Sequence, residues 1–332
     1  MHPRLSLRTF VLLVVAAGAM LSAQTQVPSW PREVDDPAAR KPAPSPADVL
    51  ARIGEYENAP GPDRPVVHLY VFEENQQLWV IADRGQPARC AGQTNGTSLV
   101  IGGVTYARLQ VGPEGGGQLK VSPIRNVAEV LKESLTVAPP KETGDFAPPS
   151  LVELTTLDPT IRLEIRYATT NNFLGSVFYA QARAFLQRPA AEAVVRAAAA
   201  LKPLGYGLLV HDGYRPWYVT RTFWETTPPE KKWLVANPAS GSKHNRGAAV
   251  DLTLYDLKTG AVIEMPSTYD ESTPRAYAFY PGGASLQRWH RALLRRTMEA
   301  EGFTVNPEEW WHFDYKDWKR YAIGNIPFEQ IR

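Results

Sequence analysis

The chain has 332 residues, 44% of them hydrophobic and 21% charged, a globular composition with room for about two domains and a buried core. Its single cysteine, Cys90, excludes an internal disulfide framework and any cysteine-rich zinc module. Lys and Arg number 36 against 34 Asp and Glu, a balance that speaks against a nucleic-acid or other polyanion partner.

In chain order, the first feature is the apolar run Phe10–Leu21 (FVLLVVAAGAML), too short to span a bilayer. With Arg4 and Arg8 before it and Leu21-Ser22-Ala23 after it, residues 1–23 read as a secretory signal peptide; an uncleaved anchor is the alternative. No lipobox cysteine accompanies the run. Cleavage would leave a formally neutral chain, periplasmic or secreted and not stably inserted in a membrane. Residues 24–47 are rich in Pro and charge and predict an extended tether.

Residues 48–137 predict a small β-rich domain of unreadable role. Val66–Phe72 and Leu78–Ala82 flank polar Glu73–Gln77 as in a hairpin, and Ser98–Ile101, Val104–Leu109 and Leu119–Val121 suggest further strands. Val127–Ser134 suggests a short closing helix. His68, inside an apolar strand, reads as a packed or surface histidine, and Cys90 as a buried inert thiol. The paired prolines of Ala138–Pro149 predict a linker.

Residues 150–332 mix helical and strand signals, an α+β pattern. Ala190–Leu201 is an alanine-rich helix that must stop before Gly205, and Gly207–His211 a buried strand. Val250–Tyr255 alternates, with Asp251, Thr253 and Tyr255 on one face and Val250, Leu252 and Leu254 on the other. Ser285–Glu301 predicts an amphipathic helix with Ser285 as cap, a Leu286, Trp289, Leu293 and Met298 stripe, and Gly302 beyond its end. Its arginines 288, 291, 295 and 296 read as a solvated face.

Three clusters carry the chemistry. In Ser242–Asp251 (SKHNRGAAVD) a histidine in a glycine-containing loop precedes an aspartate at a strand start, which suits either a nitrogen–oxygen metal pair or a capped loop with a hydrogen-bonded histidine. In Glu308–Phe313 (EEWWHF) a carboxylate and an imidazole stand three residues apart between aromatic walls. They share a cavity only if the backbone bends; a flat strand separates them and leaves a surface Glu beside a core His-Trp cluster. Arg215, in Asp212-Gly213-Tyr214-Arg215-Pro216, is a permanent cation with a rigid donor fork, serving either a reaction site or a salt bridge to Asp212 or another acid.

Together these segments, with Arg166–Gly175 (RYATTNNFLG), resemble the zinc D-Ala-D-Ala dipeptidases over about Leu151 to Ile331. The resemblance implies a hedgehog-like zinc D,D-peptidase catalytic domain behind the small β-rich one. It also implies one zinc per chain on His244, Asp251 and His312, with Glu309 as catalytic base and Arg215 steadying the transition state. Met265–Glu271 stands where the family usually has Met-Gly-Thr-x-Phe-Asp. Met265 and Asp270 fit, while Pro266, Ser267 and Tyr269 depart. Ser242 and Asp270 are candidate contacts to a small D,D-peptide substrate. A dipeptidase acting in cell-wall peptide turnover is the expectation. A D,D-carboxypeptidase trimming peptidoglycan stem peptides and a non-catalytic zinc-bearing module are the alternatives.

Overall fold

Asn75 and Gln76 both take positive φ (52° and 63°), the conformation of a two-residue turn whose twist matches antiparallel strands. They join β2 (His68–Glu74) to β3 (Gln77–Ala82) as the hairpin pattern predicts. The computed structural model describes residues 40–331 apart from 63, 83, 84, 86, 91, 95 and 110–118. The expected signal peptide and residues 24–39 of the expected tether lie outside the described residues. Among those residues no helix is long and apolar enough to cross a membrane.

The hairpin belongs to an antiparallel sheet ordered β4-β3-β2-β1-β7-β6-β5. Its other strands are β1 (Gly54–Asn58), β4 (Ala88–Arg89), β5 (Gln93–Thr94), β6 (Ser98–Ile101) and β7 (Val104–Arg108). Central β1 carries Glu55 and Glu57 and gives no apolar alternation, so sequence patterning passes over it. The sheet side of Tyr70, Phe72 and Ile81 closes on Tyr280 of the C-terminal half. Tyr280 donates its hydroxyl to buried Glu55 (2.9 Å), and His68 pairs with Glu55 and Glu57. Cys90 is half-buried against the other side of the sheet.

After α1 (Ala47–Leu50), the next helix is α2 (Val127–Leu135), N-capped by the Asn126 side chain. The main core begins earlier, since Val121 and Val127 are already part of it. Leu119–Val121 is not a strand: Leu119 and Val121 donate their amides to Asp270 O and Phe173 O (3.2 and 2.7 Å) in the C-terminal half. Nor does α2 close the N-terminal sheet; it packs on α5 (Trp217–Thr226). Residues 138–149 run without helix or strand but are tied down. Glu142 binds Arg246 Nη2 (2.5 Å) and the Ile323 amide (2.6 Å), and the Ala147 amide bonds Arg320 O (2.8 Å).

In the C-terminal half β8 (Leu151–Glu153) and β10 (Phe185–Gln187) form a two-stranded ribbon, with α3 (Leu154–Leu157) following β8. The main sheet has the order β13-β14-β12-β11-β9. It comprises β9 (Arg162–Leu163), β11 (Tyr206–Asp212), β12 (Ala249–Asp256), β13 (Phe303–Asn306) and β14 (Glu309–Tyr315). α4 (Arg188–Leu201) starts with Pro189 in its first turn, and a tight turn ends at Gly205, φ 88°. Helix α4 packs on β11 and on α6 (Ser285–Ala300), while α6 packs on β12, β13 and β14. Val250, Leu252 and Leu254 are fully buried in that core, as the alternation predicts, and the opposite face of β12 carries Asp251.

Two expectations for α6 are corrected. The N-cap is Ala284 rather than Ser285, and Ser285 instead donates its amide and hydroxyl to Glu73 Oε2 (2.9 and 2.8 Å), a carboxylate brought by β2. Arg288 and Arg291 are not a solvated face but buried, 0% and 5% exposed. Arg288 donates to Gly283 O and Glu73 O, and Arg291 to Tyr277 O and Tyr280 O. The reason is that backbone carbonyls stand in for water: β2 supplies Glu73 O and the Phe72 ring to Arg288, and the segment before the helix, residues 277–283, supplies the rest.

Candidate metal centre

Asp251 on β12 and His312 on β14 are register partners, so their side chains leave the sheet on one face. His244 reaches the same point from a tight turn, His244–Arg246, that ends on Gly247 with φ 63°. The left-handed backbone requires glycine there, and a side chain would in addition displace the end of Leu151, 2.6 Å away. His244 Nε2, His312 Nδ1 and Asp251 Oδ1 then stand 3.1, 3.0 and 3.4 Å apart in pairs.

Partners fix which atoms face inward. His244 Nδ1 lies 2.7 Å from Gly213 O and His312 Nε2 lies 2.9 Å from Asp314 Oδ1. A carbonyl and a carboxylate only accept, so those nitrogens carry the protons and the opposite nitrogens present lone pairs. Asp251 Oδ2 accepts from the Tyr269 hydroxyl (3.1 Å), whereas buried Oδ1 has no hydrogen bond, the neighbouring imidazoles being misaligned for one. With both imidazoles neutral, the three inward atoms are all electron-pair donors, a set that suits a cation. Tetrahedral zinc with bonds of about 2 Å separates its ligand atoms by about 3.3 Å, close to the spacing seen here. The residues present fit the metal.

The carboxylates draw positive charge to this point, and without a metal ion a proton on His312 supplies it. Burial favours a neutral Asp251, yet His244 and His312 hold its pKa below the usual carboxylate range. Burial likewise disfavours a charged His312, but the Asp251 and Asp314 carboxylates raise its pKa well above normal.

Glu309 opens β14, and its Oε2 lies 3.6 Å from His312 Nδ1 and 3.1 Å from Asn306 Nδ2. The register explains how residues three apart share a side. Val305 pairs with Phe313 while the next residue, Asn306, pairs with Glu309, so β14 bulges between. This is the bend the Glu–His spacing requires. Surrounding protein raises the Glu309 pKa, chiefly through desolvation and partly offset by His312, although the side chain as a whole stays 39% exposed.

Arg215 stands one carboxylate behind the cluster. Its Nε and Nη2 both donate to Asp212 Oδ2 (3.0 and 2.7 Å), which is 3.9 Å from His244 Nδ1. The salt bridge anticipated as its alternative role is therefore present, and Nη1 carries no hydrogen bond. The guanidinium rests on the Tyr167 and Phe223 rings. Tyr167 in turn donates to Asp270 Oδ2 (3.3 Å), and Asp270 has φ 59°, a strained backbone beside the site. Ser242 is not brought to the donors: its hydroxyl accepts from the Asn245 amide (3.2 Å), serving the turn.

Residues that sequence reasoning missed are Tyr269, Asp314 and Asn306, together with His211, which stacks on Tyr269 at 4.4 Å, and Lys243, whose ammonium pairs with Asp314. Ser267 accepts from Trp310 Nε1 (2.8 Å). Asp314 alone left a signal, standing two residues after His312 on the same strand face.

Two imidazoles and a carboxylate, gathered from a turn and two strands beside a free glutamate, provide the three protein ligands and the base that a metallopeptidase needs, and similarity to known proteins agrees with that class. The family model described as D-ala-D-ala dipeptidase matches residues 149–325. The chain is 32% identical over 173 residues to the D-alanyl-D-alanine dipeptidase of Escherichia coli K12, covering 52% of this chain and 88% of that protein. It is 34% identical to the enzyme of the same name from Enterococcus faecalis (47% and 87% covered) and 33% identical to that of Streptomyces coelicolor (53% and 93%). The chain belongs to the D-Ala-D-Ala dipeptidase family of peptidases.

Proposed function

We propose that the protein hydrolyses D-Ala-D-Ala or similar short D,D-peptides with one zinc ion held by His244, Asp251 and His312, outside the cytoplasm, in the turnover of cell-wall peptides. The observation that carries this reading is the set of three inward electron-pair donors 3.0–3.4 Å apart with Glu309 at 3.6 Å from one of them. Zinc, when bound, polarises the scissile carbonyl and brings the pKa of a coordinated water to about 7. Glu309, its pKa raised and its outer edge open, takes the proton of the attacking water and delivers it to the leaving amine. Arg215, fixed by Asp212 with Nη1 to spare, faces the negative charge that develops on the carbonyl oxygen. Asp270, held by Tyr167, pairs with the substrate ammonium. The Leu119 amide bonds Asp270 O (3.2 Å), which sets residue 119 against that loop, and a flank closed there would favour a dipeptide over a longer stem peptide. The exported location rests on the apolar run at residues 10–21.

The test is incubation of purified protein and zinc with D-Ala-D-Ala, L-Ala-L-Ala and a stem pentapeptide. Free D-alanine from the D,D-dipeptide alone is expected, and release from the pentapeptide alone would make it a carboxypeptidase. Glu309→Gln should keep the metal and lose turnover by orders of magnitude; near-normal turnover removes Glu309 as the base.

A further inference from the structure

Each inward-facing donor is aimed by a neighbour. Gly213 O orients His244, Asp314 orients His312, and for Asp251 the neighbour is a phenol. We infer that Tyr269 is a positioning residue for the metal, its hydroxyl occupying Asp251 Oδ2 so that only Oδ1 is offered to the ion. The inference deepens the zinc reading and rests on it.

The ring is well placed for this task. It is 5% exposed, stacks on His211 at 4.4 Å with 24° between planes, and meets Trp311 edge-on at 5.4 Å. His211 sits where β11 slips register, Val210 pairing with Leu252 and Asp212 with Asp251, so the bulge that carries the stack lies opposite Asp251 itself. A phenol held on two sides cannot follow Asp251 if the carboxylate turns. Without the hydroxyl the carboxylate is free to present either oxygen, or both, to a cation, and the coordination position needed for water is no longer protected. Partners that orient metal ligands typically change affinity 10- to 100-fold when removed.

Tyr269→Phe removes the oxygen and keeps both ring contacts. Zinc affinity is measured by competition with a chromogenic chelator, and the cobalt-substituted protein by its visible absorption. Tyr280→Phe, which removes another buried phenol–carboxylate bond far from the site, is the control. The expected result is zinc binding weakened at least tenfold and an altered cobalt spectrum in Tyr269→Phe, with Tyr280→Phe matching wild type. Unchanged affinity and spectrum in Tyr269→Phe, or equal losses in both variants, would overturn the inference while leaving the zinc reading intact. Failure of the wild-type protein to bind zinc stoichiometrically would overturn both.

Discussion

Glu73 is the point where the N-terminal sheet and the peptidase half depend on each other most directly. Its carboxylate is fully buried, with Oε2 accepting from the Ser285 amide and hydroxyl and Oε1 from the Gln76 amide. It thus performs an N-cap's task for α6 from 212 residues away. Burial opposes its charge, but the hydrogen bonds from Ser285 and Gln76 prevail and its pKa lies below the usual value. Glu73→Ala loses a cap, about 1 kcal/mol, and leaves at least one buried donor unsatisfied, about 2 kcal/mol more. A destabilisation of about 3 kcal/mol corresponds to a melting point lower by roughly 6–12 °C. Glu73→Gln keeps an acceptor and should lose about half as much. Differential scanning calorimetry at pH 7 reads both. A depressed carboxyl pKa stabilises the fold above its unfolded value and loses that contribution as pH falls through the folded one, so the difference between Glu73→Gln and wild type should shrink below about pH 4.5. Unchanged melting in Glu73→Ala would refute the reasoning, because the cap would then be replaceable by water.

Arg215→Lys keeps a cation but loses the fork on Asp212, so kcat should fall on the order of 100-fold with metal content unaltered; unchanged kcat would reduce Arg215 to its salt bridge. His290, buried against Tyr206 and near Lys41, has its pKa pushed down to about 4 from the usual 6.5, chiefly by desolvation. The unfolded chain therefore binds the extra proton first, and stability should drop by roughly 3 kcal/mol as pH falls from 6.5 to 4. Urea titrations of His290→Gln should show a correspondingly shallower decline, and parallel curves would discount the histidine. Glu142→Gln should lower stability by about 1 kcal/mol by weakening a partly buried charge pair with Arg246 and the bond to the Ile323 amide; an unmoved urea midpoint would show that tying residues 138–149 to Arg246 contributes nothing.

Local periodicity made much of the C-terminal half legible. The alternation around Asp251 and the stripe of Trp289, Leu293 and Met298 mark which faces are buried, because those faces repeat within a few residues. What patterning missed was decided by distant partners. Arg288 looks solvated until Glu73 O and the Phe72 ring of β2 meet it, and Arg291 until the carbonyls of Tyr277 and Tyr280 do. Ser285 looks like a cap until Glu73 arrives. Glu55 and Glu57 hide β1 as a strand, although Tyr280 and His68 supply the partners that let it lie in the sheet. At the site, the spacing of Glu309 and His312 posed the right question, but only the bulge against β13 answers it. Tyr269 was illegible for the same reason, since it acts on Asp251 of another strand, while Asp314 left only its place two residues after His312.

The distribution of charge explains why these supporting groups matter. Four carboxylates crowd the centre, and two are already matched: Asp212 by Arg215, and Asp314 by Lys243 and the His312 ring proton. Asp251 and Glu309 are left with imidazoles whose inward nitrogens offer electron pairs, plus a phenol and an amide. Burying Asp251 without a cation, whether a metal ion or a proton on His312, is costly. If the matched pairs were broken, Asp212 and Asp314 would compete for the same ion, and its single open position would lose definition. On this argument Lys243→Met, which touches no donor atom itself, should loosen Asp314 and His312 and weaken zinc binding about tenfold in the chelator competition. Affinity equal to wild type would show that Asp314 orients His312 without help from the lysine.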